Sequence, residues 1–296
     1  MDLSLKIDRI DVSDKELFLK EYFGKQKPVI IEGIIKNAPD AQKWSLEYLK
    51  TRLGQTEVMV FDNSIKKATA YTGGDYKMKF SEFVEQIKKD EPCNIRLFLF
   101  NAFKHCSDLK KEFPCPDIFK GLLDKVGFMF FGGKNTEVRM HFDIDMSNVL
   151  HTNFEGKKRV VLISQEYNDL LYKTPLNTYS IADFNNIDET KFPGLKYVKG
   201  YDIILNPGES VFMPGGYWHY MVYQEGSFAV AYRKLAYGIK NTLIGINYLT
   251  LKLWLDKLMN FTLGKQWVHF KTKVAYQRAD EAIKKIENNK KEVYAS

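Results

Sequence analysis

Three residues of this chain, two histidines and one aspartate, have the types and spacing of a metal-ligand set. His141 and Asp143 are separated by one residue, and His219 follows much later in the chain. Two imidazoles and one carboxylate form the facial triad that binds non-haem Fe(II) and leaves positions on the metal open for other ligands. Because residues i and i+2 of an extended strand point to the same face, His141 and Asp143 could both enter one barrel interior. The third ligand must then come from a distant strand.

The sequence before His219 supports this interpretation. A Gly-acid turn at Gly208-Glu209 precedes a short apolar segment, and a Pro-Gly-Gly corner at 214–216 precedes Trp218 and His219. This segment resembles the second cupin motif, in which glycines shape the turn and the histidine points into a barrel. The alternative is a structural histidine in the core and an unrelated His141 at the surface.

The elements that would position these residues are mainly short strands. Ser45 can cap a helix that begins near Trp44 and stops at Gly54, and a second helix begins at Phe80. Short apolar segments separated by turn residues are typical of a β-sandwich or barrel. The predicted strands are Pro28–Ile31, Glu57–Phe61, Ile95–Phe100, Gly127–Phe131, Val138–Asp143, Asn148–Phe154, Lys158–Ser164, Ile203–Leu205, Ser210–Met213, His219–Gln224 and Ser227–Arg233.

After Tyr237 the pattern becomes helical, and apolar residues cover most faces of the predicted helices. These residues are Leu243, Ile244, Ile246, Leu249, Leu253, Trp254, Leu258, Met259 and Phe261. Lys252, Asp256 and Lys257 interrupt the run, which argues against a transmembrane span. A helix that is apolar on most sides is buried in a core or in a subunit interface. We expect an interface, and therefore a homodimer formed through these helices.

Composition limits the classes of protein that the chain can represent. Its 296 residues are 45% hydrophobic, which allows a sizeable core. The three cysteines lack CxxC spacing, which argues against a disulfide framework or zinc ribbon and suits a reducing compartment. The first residues lack the pattern of a signal peptide, so we expect a cytoplasmic protein. The net charge is +7, and +4 of it lies after Gly264, where eight Lys/Arg accompany four Asp/Glu. A nucleic acid could bind there, although a solvated helix face is favoured.

Several motifs together resemble the JmjC-type, cupin-like family of Fe(II)- and 2-oxoglutarate-dependent oxygenases. That group includes the asparaginyl hydroxylase called factor inhibiting HIF and many uncharacterised bacterial proteins. The resemblance covers residues 15–236. It rests on Lys27–Gly33, Phe80–Phe83, Met140–Asp143, Asn153–Leu162 and Pro207–His219.

The resemblance implies a fold, a set of cofactors and a reaction. The fold would be mainly β with flanking helices, a double-stranded β-helix or jelly roll. Residues 1–94 would form an α/β segment packed on the barrel, 95–236 the barrel itself, and 237–296 a C-terminal helical extension. His141, Asp143 and His219 would bind Fe(II), with 2-oxoglutarate as cosubstrate and O2 as oxidant. Hydroxylation is favoured over demethylation, and the substrate would be a protein, an RNA or a small molecule.

The far carboxylate of 2-oxoglutarate needs a buried cation and hydrogen-bond donors. Lys158 is the best candidate because it opens an apolar strand, and Lys157 is the alternative if the register differs by one residue. Asn148 and Arg233 are further candidates for cosubstrate contacts, although each could instead make structural hydrogen bonds. His151 is expected to be a structural strand residue.

Two positions depart from the family pattern. Some relatives carry a tyrosine where this chain has Phe98, and some carry a threonine where it has Val138. Both hydroxyl groups would help to bind the cosubstrate. Either Lys158 and Arg233 compensate, or the cosubstrate binds differently, or the activity is reduced. Asp145 is four residues from the first histidine, so Asp143 is preferred as the ligand.

Two other classes stay open. Metal-binding cupins such as isomerases or thiol dioxygenases usually use three histidines, often with a glutamate, and Asp143 argues against them. A non-catalytic interaction protein with a degenerate pocket would use the C-terminal helices, and the intact triad argues against it. The rim that selects the substrate is expected at Asn63–Lys77 and Tyr167–Lys199, with Pro193-Gly194 over the barrel mouth.

Overall fold

Short strands dominate the fold, as the alternation of apolar and turn residues predicts. The computed structural model describes residues 1–64, 74–121 and 127–295. Every predicted strand is present, and the ends differ by no more than three residues. The strands are β1 (Asp8–Asp11), β2 (Val29–Glu32), β3 (Glu57–Asp62), β4 (Tyr76–Lys79), β5 (Ile95–Phe100), β6 (Gly127–Gly132), β7 (Glu137–His141), β8 (Asn148–Glu155), β9 (Lys158–Ile163), β10 (Gly200–Leu205), β11 (Ser210–Met213), β12 (Trp218–Tyr223) and β13 (Ser227–Lys234).

These strands form two sheets. The larger sheet has the order β1-β2-β11-β8-β13-β6-β5-β3-β4, and the smaller sheet has the order β10-β9-β12-β7. All pairs are antiparallel except β1 with β2. Two such sheets that face each other make the jelly roll expected from the sequence.

Alternation along the strands separates the barrel interior from the outer face. On β12, Trp218 and Tyr220 belong to an outer cluster, whereas Met221 belongs to the cluster between the sheets. Residues from both sheets fill the interior: Ile30, Val149, Val160, Leu162, Ile203, Leu205, Val211, Met213, Met221 and Ala231. This alternation places His219 on the inward face.

The first 94 residues share the larger sheet with the barrel. β2 pairs with β11, and β3 pairs with β5. Ser45 caps the second helix as predicted, because its hydroxyl accepts a hydrogen bond of 3.1 Å from the Tyr48 amide. The domain boundary at residue 94 stays a prediction. The helices that cover the outer face of this sheet are α1 (Lys15–Leu17, continued by a π-helical turn at Phe18–Phe23), α2 (Leu46–Leu53), α3 (Phe80–Ile87), α4 (Ala102–His105) and α5 (Asp108–Glu112).

A helical extension follows β13, as predicted. It consists of α6 (Gly238–Asn247), a π-helical turn (Tyr248–Lys252), α7 (Leu253–Leu263) and α8 (Lys265–Ala295). The buried Asp256 fastens α7 to α8, since it accepts hydrogen bonds from Trp267 at 2.8 Å and Lys271 at 2.7 Å. None of the described helices is long and apolar enough to cross a membrane.

α8 covers the outer face of the smaller sheet together with the segment before β10. Ala275 and Ala279 pack there with Tyr172 and Leu195. Pro193 and its neighbours form a 3₁₀ turn, Pro193–Tyr197, whose Leu195 is buried in this layer. The prediction that Pro193-Gly194 lies over the barrel mouth is therefore wrong, because apolar packing draws this turn to the outer face.

One side of the extension remains exposed although it is apolar. Trp254 is 73% exposed and Phe261 is 90% exposed. The other apolar residues between Gly238 and Leu263 that are at least 46% exposed are Ile239, Leu243, Ile246, Leu249, Leu251 and Leu258. We call these eight residues the apolar face.

Candidate metal centre

His141, Asp143 and His219 come together at one end of the space between the sheets. One ligand atom from each lies within 4.8 Å of the other two. The centroids of the two imidazole rings are 4.2 Å apart, and His141 Nε2 lies 4.0 Å from Asp143 Oδ1. Both histidines are buried and Asp143 is partly exposed. The structure thus brings together the three residues that the sequence nominated.

Two of the ligands lie on neighbouring strands, and the third lies on a loop. His141 ends β7 and is the register partner of His219 on β12. Asp143 follows the end of β7, in a turn where its carbonyl accepts a hydrogen bond from the Met146 amide. The expectation that His141 and Asp143 share one face of a strand is therefore wrong. Asp143 reaches the site because the chain turns immediately after the strand.

Backbone carbonyls orient both imidazoles. His141 Nδ1 lies 2.7 Å from the Arg139 carbonyl, and His219 Nδ1 lies 3.1 Å from the Tyr217 carbonyl. A proton on Nδ1 leaves Nε2 free to bind a metal. Burial and the neighbouring His219 lower the pKa of His141 to about 3, which keeps its imidazole neutral. This donor set fits Fe(II).

Arg233 holds the carboxylate of Asp143. Its Nη2 lies 2.8 Å from Asp143 Oδ2 and 3.0 Å from Asp145 Oδ1, and its Nε donates to Ser147 Oγ at 2.9 Å. Burial raises the pKa of Asp143. Arg233 and the two histidines lower it by more, so the net shift is downward and the carboxylate stays ionised. The charge of Arg233 is therefore engaged by carboxylates of the protein, and its predicted contact with the cosubstrate stays a prediction.

Asn148 supports the turn before His219. Its Oδ1 accepts a hydrogen bond of 3.0 Å from the Gly215 amide, and its Nδ2 donates one of 2.9 Å to the Leu235 carbonyl. Both ends of the amide thus bind the backbone. A cosubstrate contact from Asn148 also stays a prediction.

A cavity extends from the triad into the barrel, and its walls are mostly apolar. Phe98 and Val138 both line it, so the two positions where relatives carry hydroxyl groups face the cavity here. The remaining lining residues are Leu99, Phe130, His141, Asp143, Val149, His151, Met213, His219, Met221, Tyr223, Ala231 and Arg233. The cavity therefore runs from the polar triad to mostly apolar walls inside the barrel.

Lys158 lies behind this cavity and is fully buried. Its Nζ lies 4.6 Å from the centroid of the Tyr223 ring and 3.4 Å from His151 Nε2. Within the described part of the chain it forms no ion pair with a carboxylate, and burial lowers its pKa well below the usual value. Lys157 is exposed, so the structure favours Lys158 between the two candidates. A buried amine without an anionic partner is costly, and it can bind an incoming anion.

His151, which we expected to be a structural strand residue, lies beside the candidate site. It lies on β8, lines the cavity and brings its Nε2 towards Lys158. Burial and the charge of Lys158 lower its pKa well below the usual value, so its imidazole is neutral. The sequence signal for an inward His151 was the apolar Val149 two residues earlier, because residues i and i+2 of a strand share a face.

A jelly roll with this triad at its mouth defines the cupin-like class of metal-binding domain. The chain belongs to this family, because the model of the cupin-like domain matches residues 15–233. The predicted family is thereby confirmed.

Relatives within the family carry several different names. The chain is 27% identical over 243 residues to Lysine-specific demethylase 8 of Xenopus tropicalis, and the matched region covers 78% of this chain and 53% of that protein. It is 29% identical over 219 residues to Lysine-specific demethylase JMJ30 of Arabidopsis thaliana, covering 70% of this chain and 49% of that protein. It is 24% identical over 249 residues to tRNA wybutosine-synthesizing protein 5 of Homo sapiens, covering 75% of each. The chain thus spans about half the length of the two demethylases.

Proposed function

We propose that the protein is an Fe(II)- and 2-oxoglutarate-dependent oxygenase. One observation carries the proposal: a buried lysine with no carboxylate partner among the described residues contacts His151 and Tyr223, which line the cavity that opens at the triad. A dicarboxylate that chelates a metal through one end and needs a cation at the other matches this arrangement. Hydroxylation is the favoured reaction, and demethylation is the alternative.

Each residue has a defined part in this proposal. His141, Asp143 and His219 hold Fe(II), which supplies the oxidation chemistry of the class when it is bound. Lys158 pairs with the far carboxylate of 2-oxoglutarate, and His151 Nε2 accepts a hydrogen bond from the Lys158 ammonium, which holds the amine in place. The apolar walls of the cavity exclude water, which strengthens both interactions.

Two further residues act through the ligands in this proposal. Arg233 positions Asp143, because its guanidinium binds that carboxylate. Asn148 positions His219, because it bonds the turn at Gly215. Neither needs to contact the cosubstrate.

The substrate is a macromolecule in our proposal, either a protein side chain or an RNA base. The names of the relatives, lysine demethylases and a tRNA wybutosine-synthesizing protein, support this class. Tyr179 lies at the mouth, where its ring stacks on His141 with centroids 5.2 Å apart. It belongs to the segment expected to form the rim, whereas residues 65–73 of the other expected rim loop lie outside the described residues. A small molecule is the alternative substrate.

A second copy of the chain is the partner that we propose for the apolar face. Its eight residues lie on consecutive helical segments, and the buried Asp256–Lys271 ion pair holds α7 firmly against α8. An exposed apolar surface of this kind is typical of subunit interfaces.

The proposed function is tested by titrating anaerobic protein with Fe(II) and then with 2-oxoglutarate. We expect the weak visible charge-transfer band of the iron chelate in the parent protein. Asp145→Ala, which also removes a carboxylate near Arg233, should retain the band, whereas Asp143→Ala should lose it together with iron binding.

Two other outcomes would overturn the proposal. Iron binding without the band in the parent would favour a cupin of another class, and the absence of hydroxyls at Phe98 and Val138 would then be the reason. No iron binding at all would favour a non-catalytic interaction protein.

A further inference from the structure

We infer that the C-terminal helices hold the ligand loop, residues 142–147, in the geometry that the metal requires. The inference rests on the proposed metal site, because Asp143 lies in this loop. It assigns Tyr248 and Gly245 as positioning residues, although neither contacts the metal.

The ligand loop has little backbone pairing with the sheets, and Arg233 of β13 supports it through side-chain contacts alone. β7 ends at His141, so the loop lies beyond the strand ladder. One backbone bond, from the Phe142 amide to the Thr178 carbonyl at 3.2 Å, ties its start to the neighbouring segment. His219 differs because it lies on β12, which pairs with strands on both sides. Asp143 therefore depends on side-chain contacts for its position more than His219 does.

An aromatic cluster supplies one part of this packing. Phe142 lies between two of the ligands in sequence, is buried, and makes an edge contact with Trp218, ring centroids 5.0 Å apart. It makes a second edge contact with Tyr248 of the extension at 5.9 Å. Because Trp218 precedes His219, this cluster joins the backbone of all three ligands to the C-terminal helices.

Tyr248 is itself held in place. It is 3% exposed, and its hydroxyl accepts a hydrogen bond of 3.0 Å from Lys173 Nζ. The Nζ of Lys252 lies 4.0 Å from the centroid of its ring. A fixed ring gives Phe142 a firm surface to pack against.

Gly245 supplies a second part of the packing. A Cβ atom at this position would lie 2.6 Å from the carbonyl oxygen of Asp145, so the backbone of α6 touches the ligand loop. Asp145 in turn binds Arg233, and Arg233 binds Asp143. Glycine within a helix costs about 0.5–1 kcal/mol relative to alanine. The close approach of the two backbones is a reason for glycine here.

The test measures the dissociation constant of Co(II), a spectroscopic substitute for Fe(II), together with the unfolding midpoint of each full-length variant. We expect Tyr248→Ala to weaken metal binding about 10- to 100-fold, the range seen when residues that orient a ligand are removed. Tyr248→Phe should bind nearly as tightly as the parent, because it keeps the ring. Phe270→Ala is the matched control, since it deletes a ring that is 51% exposed on α8, outside the apolar face.

Gly245→Ala separates positioning from helix stability. Alanine favours the helix, so a loss of helix stability cannot explain weaker metal binding in this variant. We expect at least a fivefold loss, on the order of 1 kcal/mol. If Tyr248→Ala and Gly245→Ala are folded and bind Co(II) as tightly as the parent, the inference is wrong.

Hydrogen exchange distinguishes this inference from the proposed function. In metal-free protein, the amides of residues 142–147 should exchange faster in Tyr248→Ala than in the parent and Phe270→Ala. That result would support the packing even if the parent bound no metal. Equal exchange in all three proteins would overturn it.

Discussion

Arg233 and Asp143 form a direct ion pair, with Nη2 and Oδ2 2.8 Å apart. The pair joins the last strand of the larger sheet to the loop that carries the carboxylate ligand. A cation this close to Asp143 reduces the negative charge that the carboxylate presents to the metal. It also fixes the orientation of the carboxylate. The same residue cannot easily serve as a free anchor for a second anion.

Replacing Arg233 tests which role it has. We expect Arg233→Met to weaken Co(II) binding about 10- to 100-fold, because Asp143 loses its orienting partner. At saturating metal, the affinity for 2-oxoglutarate should stay within about threefold of the parent. Isothermal titration of each ligand measures both values. A large loss of 2-oxoglutarate affinity with unchanged metal binding would show instead that Arg233 is a cosubstrate anchor.

Replacing Lys158 should separate cosubstrate binding from stability. We expect Lys158→Met to weaken 2-oxoglutarate binding roughly 30-fold or more, corresponding to about 2 kcal/mol for loss of a buried charge contact. The same change should stabilise the ligand-free protein by roughly 1–3 kcal/mol, because it removes a buried amine that has no anionic partner among the described residues. Titration calorimetry and denaturant unfolding measure the two effects. An affinity equal to that of the parent would exclude Lys158 as the anchor.

The buried amine also predicts a dependence on pH. Burial lowers the pKa of Lys158 well below its usual value. Between that lowered pKa and the unfolded value of about 10.4, the unfolded chain binds more protons, so stability should rise with pH. Cosubstrate affinity should fall over the same window, because a neutral amine cannot pair with a carboxylate. Unfolding and binding measured across a wide pH range should show both slopes, and Lys158→Met should lack this contribution.

The two positions without hydroxyl groups predict a gain of affinity. Phe98 and Val138 line the cavity, so Phe98→Tyr and Val138→Thr would each add a hydrogen-bond donor to it. We expect each to tighten 2-oxoglutarate binding about 2- to 10-fold, the value of one hydrogen bond. Val138→Ala and Phe98→Leu are the controls, since they alter size without adding a donor. Equal affinities in all four variants would mean that the cosubstrate lies elsewhere.

The apolar face predicts an oligomeric state. We expect the parent to be a dimer in light scattering, and Phe261→Glu to be a folded monomer, because a charge at a residue that is 90% exposed harms only the interface. Leu5→Glu, which replaces an exposed leucine outside the face, should remain dimeric. If the parent is monomeric, the proposal that a second copy of the chain binds the apolar face is wrong.

The strands could be predicted because their pattern is local. Apolar residues alternate along each strand, and turn residues separate one strand from the next, so a facing pair of sheets follows from the sequence. The end of β7 was predicted too late, because Phe142 and Ile144 are apolar and continue the pattern. Phe142 packs against Trp218 and against Tyr248 of the C-terminal extension, and local alternation carries no information about partners so distant in the chain.

The triad could be predicted from residue types and motifs, whereas its surroundings could not. The partners of Arg233 and the approach of His151 to Lys158 depend on which strands face each other. These contacts join residues across the barrel, so spacing alone does not reveal them. The position of Pro193-Gly194 was missed for the same reason.

The order of strands in the larger sheet has a consequence for how the protein is made. β13 is the last of the described strands, yet it lies between β8 and β6 in the middle of the sheet. A ribosome must therefore release residues up to Lys234 before the sheet can close, and until then the facing edges of β6 and β8 lack their partner. Folding dominated by such distant pairings is slow. Newly made chains should consequently pass through an open intermediate with exposed strand edges, the kind of species that chaperones protect from aggregation.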